Sequence, residues 1–151
     1  MDKFSYFVAT EKDISFISEI YNENIQSLHG NYRSYENWKE LLSDEKSIYY
    51  IVQTKMDVAW FRIDLLPDEL CLGMLQVKPI YQRKGIGKYI LSVVENIAQE
   101  RYLNKVCIHT IEDNVAARRL YLSAGYTVTE IGPCITADGK ERIGYTFKKA
   151  I

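Results

Sequence analysis

The stretch LQVKPIYQRKGIGKYI, residues 75–90, decides how the rest of the 151-residue chain reads. Just upstream, the nearly continuous apolar run LCLGMLQV predicts a strand covered on both faces. Downstream, Ile86, Ile90, Val93, Val94 and Ile97 recur at helical spacing and predict a long helix ending near Tyr102. Between them lie two glycines and four cations, Lys78, Arg83, Lys84 and Lys88. At a helix start the first N–H groups have no intrahelical partner and the macrodipole is positive. Gly85 and Gly87 carry no Cβ, so a ligand could approach the backbone there. The turn therefore reads as a phosphate cradle or as an ordinary tight turn with solvated charges. A P-loop would need glycine at Gln82 and a hydroxyl residue at Tyr89; a dinucleotide-binding turn would need a small residue at Ile90. Neither pattern is met.

Working outward, FSYFVAT predicts a first strand, and TEKD a helix start with Thr10 as N-cap and Asp13 near the positive end. Ile14, Ile17, Ile20 and Tyr21 continue at helical spacing. Ser34 caps a second, shorter helix that turns Trp38, Leu41 and Leu42 inward. SIYYIVQT and VAWFRIDL, joined by a turn near Lys55–Asp57, predict antiparallel strands. Beyond the long helix, KVCIHT predicts a buried strand and NVAARRLYLSAGY a helix closed by Gly125. The last segment predicts two strands around DGK. The order is that of a mixed α/β layer fold in one domain spanning residues 1–151.

The formal net charge of −1 excludes a general basic coat for nucleic acid. No window approaches the apolar length of a membrane span, and the first twenty residues lack the pattern of a secretory signal. Cys71, Cys107 and Cys134 are odd in number and set in apolar surroundings, which predicts buried free thiols in a reducing cytoplasm. No CxxC is present and His29 and His109 stand alone in the sequence, so no metal is expected.

Leu75, Val77, Pro79, Gln82, Gly85 and Gly87 resemble, in order and spacing, the acetyl-coenzyme A motif of the GNAT N-acetyltransferase superfamily, L-x-V-x-P-x-x-[RQ]-x-x-G-x-[GA]. Asn114, Ala117 and Tyr121, followed by Gly125 and Tyr126, match its second motif. The match is detailed over residues 70–126 and architectural before that. The resemblance implies a central twisted, mostly antiparallel sheet of about seven strands flanked by about four helices. It implies acetyl-CoA as co-substrate, its pyrophosphate resting on backbone N–H groups from Arg83, Lys84, Gly85, Ile86, Gly87 and Lys88. It also implies that the strand ending at Val77 splays from KVCIHT. The backbone around Leu75 and Val77 would then hydrogen-bond the pantetheine arm as an added strand, with an N–H near Leu75 polarising the acetyl carbonyl.

Asn114 and Tyr121 are two helical turns apart and share one face. By itself Tyr121 reads as a core tyrosine; within the motif it becomes the general acid for the leaving thiolate, with Asn114 orienting the cofactor and small Ala117 letting its arm pass. Some relatives carry a glutamate where Cys71 stands. Glu69, two residues earlier on the same strand face, is the candidate general base through water; the alternative is a polar turn after Pro67. Lys78, Arg118 and Arg119 read as solvated cations, with phosphate contact as the alternative for the two arginines. His29, Tyr32, Tyr35, Trp38, Trp60, Arg62 and Asp64 occupy the region expected to meet the acceptor, or serve as core and rim. The expected activity is transfer of acetyl to a primary amine of a small molecule or peptide, with a non-catalytic acyl-CoA sensor as the alternative. The C-terminal strands offer an edge for a homodimer.

Overall fold

β-branched and aromatic runs become strands, and the period-3.6 stripes become helices, in the expected order. The computed structural model describes residues 3–28 and 31–151, so His29 lies outside the described residues. The chain runs β1 (Ser5–Val8), α1 (Ile14–Leu28), α2 (Tyr35–Leu42), β2 (Ser47–Gln53), β3 (Asp57–Leu65) and β4 (Leu70–Val77). It continues through α3 (Ile86–Glu100), β5 (Lys105–Ile111), α4 (Val115–Ser123), β6 (Thr127–Ile135) and β7 (Glu141–Ala150). The strands form one seven-stranded sheet in the order β1-β2-β3-β4-β5-β7-β6. Every neighbouring pair is antiparallel except β4 and β5. This is the mixed α/β architecture that the sequence predicts.

Local chemistry sets the element ends. At the first helix the side chain that closes the turn is Asp13, whose carboxylate accepts the Thr10 N–H at 2.9 Å. A single 3₁₀ turn, Glu11–Asp13, precedes α1. Ser34 caps α2 as expected, accepting from the Asn37 N–H at 3.2 Å. α4 ends in a Schellman motif: Gly125 has φ +93°, its N–H donates to Leu122, and the Tyr126 N–H donates to Tyr121. The Lys149 ammonium then bonds the Ala124 carbonyl and the Glu95 carboxylate, each at 2.9 Å, tying the end of α4 to α3 and β7.

Alternation along the strands divides the apolar residues between two faces. On one, α3 covers Phe61, Ile63, Leu70, Leu72, Val106 and Ile108. On the other, α1 and α2 cover Tyr49, Ile51 and Trp60, with Trp38 wedged among them. Trp38 and Trp60 are fully buried, with ring centroids 5.8 Å apart. They are core residues and do not present an acceptor surface. α3 can lie close to α4 because residue 87 is glycine, where a Cβ would stand 2.7 Å from Leu120 Cδ2.

Candidate active site

β4 is interrupted where it matters. The β3–β4 register passes from Ile63↔Leu72 to Arg62↔Met74, leaving Gly73 as a bulge. The Gly73 backbone is covered by the Arg62 guanidinium, which fills the space a Cβ would need. Parallel pairing with β5 covers Leu70↔Val106, Cys71↔Cys107 and Leu72↔Ile108 and stops there. Beyond that point the two strands part. A cavity of about 270 Å³ opens in the gap, with Gly73–Gln76 on one wall and Ile108–Ile111 on the other.

The β4 edge facing this gap carries unmet backbone groups. The Lys78 N–H donates to the Val58 carbonyl at 3.0 Å. Antiparallel alternation then turns Gln76 toward β3, and turns the N–H and C=O of Leu75 and Val77 toward the gap. The Val77 carbonyl is already taken, by Gln82 Nε2 at 3.1 Å and Asn24 Nδ2 at 3.3 Å. Gln82 therefore latches the end of β4, while Leu75 keeps both its backbone groups open to the cleft. An open strand edge of this kind can take on a further extended chain.

The glycine-rich turn has the shape of an anion cradle. Gly85, the N-cap of α3, has φ +85°, and Arg83 before it has φ +62°. Alternation into left-handed backbone turns successive N–H groups inward into a concavity that binds anions. Among the described residues, the N–H groups of 83–88 donate no backbone hydrogen bond, whereas those of Gln82 and Tyr89 do. Arg83, Lys84 and Lys88 are exposed around the turn, and Ile86 is buried, so that its contribution there is its N–H. The two glycines act differently. Gly85 is needed for its backbone angle, and Gly87 for the α3–α4 contact with Leu120.

Tyr121 and Asn114 reach the same cavity from α4. Tyr121 is 6 % exposed and packs its ring on Phe147 and Tyr126, with centroids 5.5 and 6.5 Å away. Burial pushes its phenol up to about 12. Among the described residues none hydrogen-bonds its hydroxyl. Asn114 is the N-cap of α4, its Oδ1 accepting from Ala117 N–H at 3.3 Å, so the amide is held in place before any ligand arrives. Arg118 is more engaged than a solvated cation, donating to the Glu112 carbonyl at 2.9 Å and lying over the Tyr145 ring.

Glu69 is placed differently. Its carboxylate pairs with Lys148 Nζ at 3.1 Å, and it does not line the cavity. The remaining wall comes from Tyr21, Arg33, Thr136 and Ala137, of which sequence reasoning named only Tyr21, and that for its helical stripe. The Arg33 guanidinium lies 4.9 Å from the Tyr21 ring centre and 5.0 Å from that of Trp38. Its Nη1 is buried without a hydrogen-bond partner, as are Trp38 Nε1, Trp60 Nε1, Tyr49 Oη and Arg62 Nε. Of these five, Arg33 lines the cavity, so water or a polar ligand there would meet an unpaired donor. Tyr35, by contrast, turns away and bonds Glu11 at 2.8 Å, and Tyr32 is largely exposed.

A second cluster adjoins the cavity. Cys71 and Cys107 stand opposite each other on β4 and β5, and Cys107 Sγ is 3.5 Å from His109 Nε2. The Cys71 thiol, hydrogen-bonded to Cys107, is held protonated; that same bond draws Cys107 toward the thiolate against the opposing effect of burial. His109 lines the cavity, and its Nδ1 meets Thr146 Oγ1 at 3.1 Å. The histidine that stands alone in sequence thus has thiol neighbours in space. Both thiols are free and buried, as expected, while Cys134 is free but only partly covered.

The family model described as the acetyltransferase (GNAT) family matches residues 14–126. Among solved structures, the chain is similar to a ribosomal-protein-alanine N-acetyltransferase from Brucella melitensis, at 18% identity and TM-score 0.81 over 97% of this chain and 99% of that one. It is similar to a mutant of the spermidine N-acetyltransferase of Vibrio cholerae, at 14% identity and TM-score 0.81, over 97% and 93%. A Salmonella typhimurium protein assigned as an acetyltransferase, solved with its cofactor acetyl-CoA, aligns at 18% identity and TM-score 0.78, over 97% and 93%. At these identities the likeness shows the shared fold.

Proposed function

This chain belongs to the acetyltransferase (GNAT) family, and from that footing we propose that it transfers acetyl from acetyl-CoA to a primary amine by direct attack within a ternary complex. The observation that carries this reading is the cleft between β4 and β5, with an unpaired strand edge on one side and Tyr121 on the other. Backbone N–H groups of 83–88 would hold the pyrophosphate, with Arg83, Lys84 and Lys88 adding charge. The Leu75 backbone would hold the pantetheine arm, Asn114 would orient it, and the small side chain of Ala117 would leave it room. A backbone N–H near Leu75 would stabilise the oxyanion that forms on attack.

The amine comes from the side walled by Tyr21, Arg33, Thr136 and Ala137. Tyr121 gives its proton to the departing thiolate, a role suited to a phenol that stays protonated across the physiological range. The amine proton leaves through water toward Glu69. Replacing Glu69 with Gln is expected to move the acid limb of the pH profile of kcat/KM; an unmoved profile would remove Glu69 from the reaction.

Thermal unfolding with saturating acetyl-CoA, with ATP and NAD as controls, tests the binding half of the proposal. A ligand at about 100 times its Kd adds roughly 2.7 kcal/mol, which for a domain of this size raises Tm by several degrees. The shift is expected with acetyl-CoA and not with the controls; its absence would defeat the reading. Cys71, standing where some relatives carry a carboxylate, permits a second reading, an acyl-CoA sensor without turnover, against which the intact Tyr121 argues. Failure to acetylate any member of a broad amine panel, with the thermal shift intact, would select it.

A further inference from the structure

We propose that Cys71, Cys107 and His109 form a binding site for a borderline-soft divalent metal ion, zinc above all, on the sheet face that carries α1 and α2. The parallel register places Cys71 beside Cys107. His109, two residues further along β5, projects from the same face. The two sulfurs and one ring nitrogen lie within 4.8 Å of one another. A tetrahedral zinc with Zn–S of about 2.3 Å and Zn–N of about 2.0–2.1 Å needs an S···N edge of roughly 3.5 Å and an S···S edge of roughly 3.8 Å. The Cys107–His109 edge is 3.5 Å.

The surroundings suit such an ion. A metal-binding imidazole uses one nitrogen for the metal and has the other fixed by a hydrogen bond. The His109 Nδ1 contact with Thr146 at 3.1 Å supplies that bond and aims Nε2 at the sulfurs. Two thiolates would balance a divalent charge. The charged groups nearby are already paired, Glu69 with Lys148 and Arg62 with Asp64, each at 3.1 Å, so they add little net field. His109 is exposed, which gives the ion a way in. Three protein ligands leave a fourth position open, the arrangement of zinc sites that exchange a ligand. The trio has no local sequence signature, because its members meet through strand register rather than spacing.

The test is titration of the reduced full-length chain, freed of metal with EDTA, first with cobalt(II) as a spectroscopic probe and then with zinc as competitor. The expected result is one equivalent of cobalt giving thiolate-to-cobalt charge transfer and the visible bands of a tetrahedral ion, both lost on adding zinc. Cys134→Ser should leave the spectra unchanged. Cys107→Ser and His109→Gln should each weaken zinc by about tenfold or more, since loss of even an outer hydrogen-bond partner costs about 10–100-fold. Absence of these bands in the unaltered chain overturns the proposal, as does their loss in Cys134→Ser. If Cys107→Ser fails to fold by circular dichroism, the exposed His109→Gln decides. Unaltered affinity and spectra in that variant would mean an adventitious thiol complex and no site.

Discussion

Tyr121→Phe is expected to lower kcat by about 10²- to 10⁴-fold, the range of general acid–base catalysis, while leaving the fold as stable as before or slightly more so. The two signs together separate a chemical role from a structural one. The ring would keep its packing on Phe147 and Tyr126. The hydroxyl has no hydrogen-bond partner among the described residues, so its removal strands no other group; deleting a buried polar group of that kind is neutral or favourable. Comparing kcat and Tm for the two proteins checks both halves. A loss of Tm with kcat preserved would return Tyr121 to the core. The raised phenol also fixes a pH dependence. Its folded value of about 12 lies above the ordinary 10.0, so the neutral form is favoured on folding. That contribution is complete below pH 10 and is lost as pH rises through about 12. Tyr121→Phe should therefore flatten the alkaline decline in stability between those values and change nothing near neutrality.

Gly85→Glu is expected to abolish the acetyl-CoA-dependent rise in Tm while lowering the unliganded Tm only modestly. At φ +85° a residue with a Cβ bears a backbone penalty of roughly 1–2 kcal/mol. Nothing lies within 4 Å of where that Cβ would stand, so no packing cost is added. Under the proposed function a pyrophosphate approaches the N–H groups of α3 through that open space, where a carboxylate would compete for them and repel the ligand. Differential scanning with and without acetyl-CoA reads both effects at once. A retained ligand shift would mean that the cofactor does not use this turn.

Much of this was legible in the sequence because it rests on backbone chemistry. Gly125 announced the end of α4, Ser34 announced a cap, and the stripe from Ile86 to Ile97 announced the face that α3 buries. The cleft itself was legible only through resemblance, since nothing in LCLGMLQV says that its pairing with β5 stops after Leu72. What escaped was whatever depends on register or on side chains meeting across the sheet. Cys71 and Cys107 are 36 positions apart and touch because two parallel strands align. Arg33 reached the cavity wall from an irregular segment with no periodicity to read. Gly87 looked like a ligand-approach glycine, yet its neighbour is Leu120 of another helix. Glu69 shared a face with Cys71, as alternation requires, but the approach of β7 gave it Lys148 as a partner.

The short seam between β4 and β5 has a mechanical side. β3 and β4 are matched at seven residue pairs, as are β5 and β7, but β4 and β5 at three. Strand pairing is thinnest there, at one pair fewer than β1–β2, so an opening between the four-stranded leaf and the three-stranded leaf must chiefly undo the packing of α3 across Leu70, Leu72, Val106 and Ile108. Partial openings of this kind cost less than global unfolding. A ligand laid along the seam would act as mortar between the leaves. The gap that would admit a pantetheine arm is thus also the line along which the two leaves are least joined by backbone.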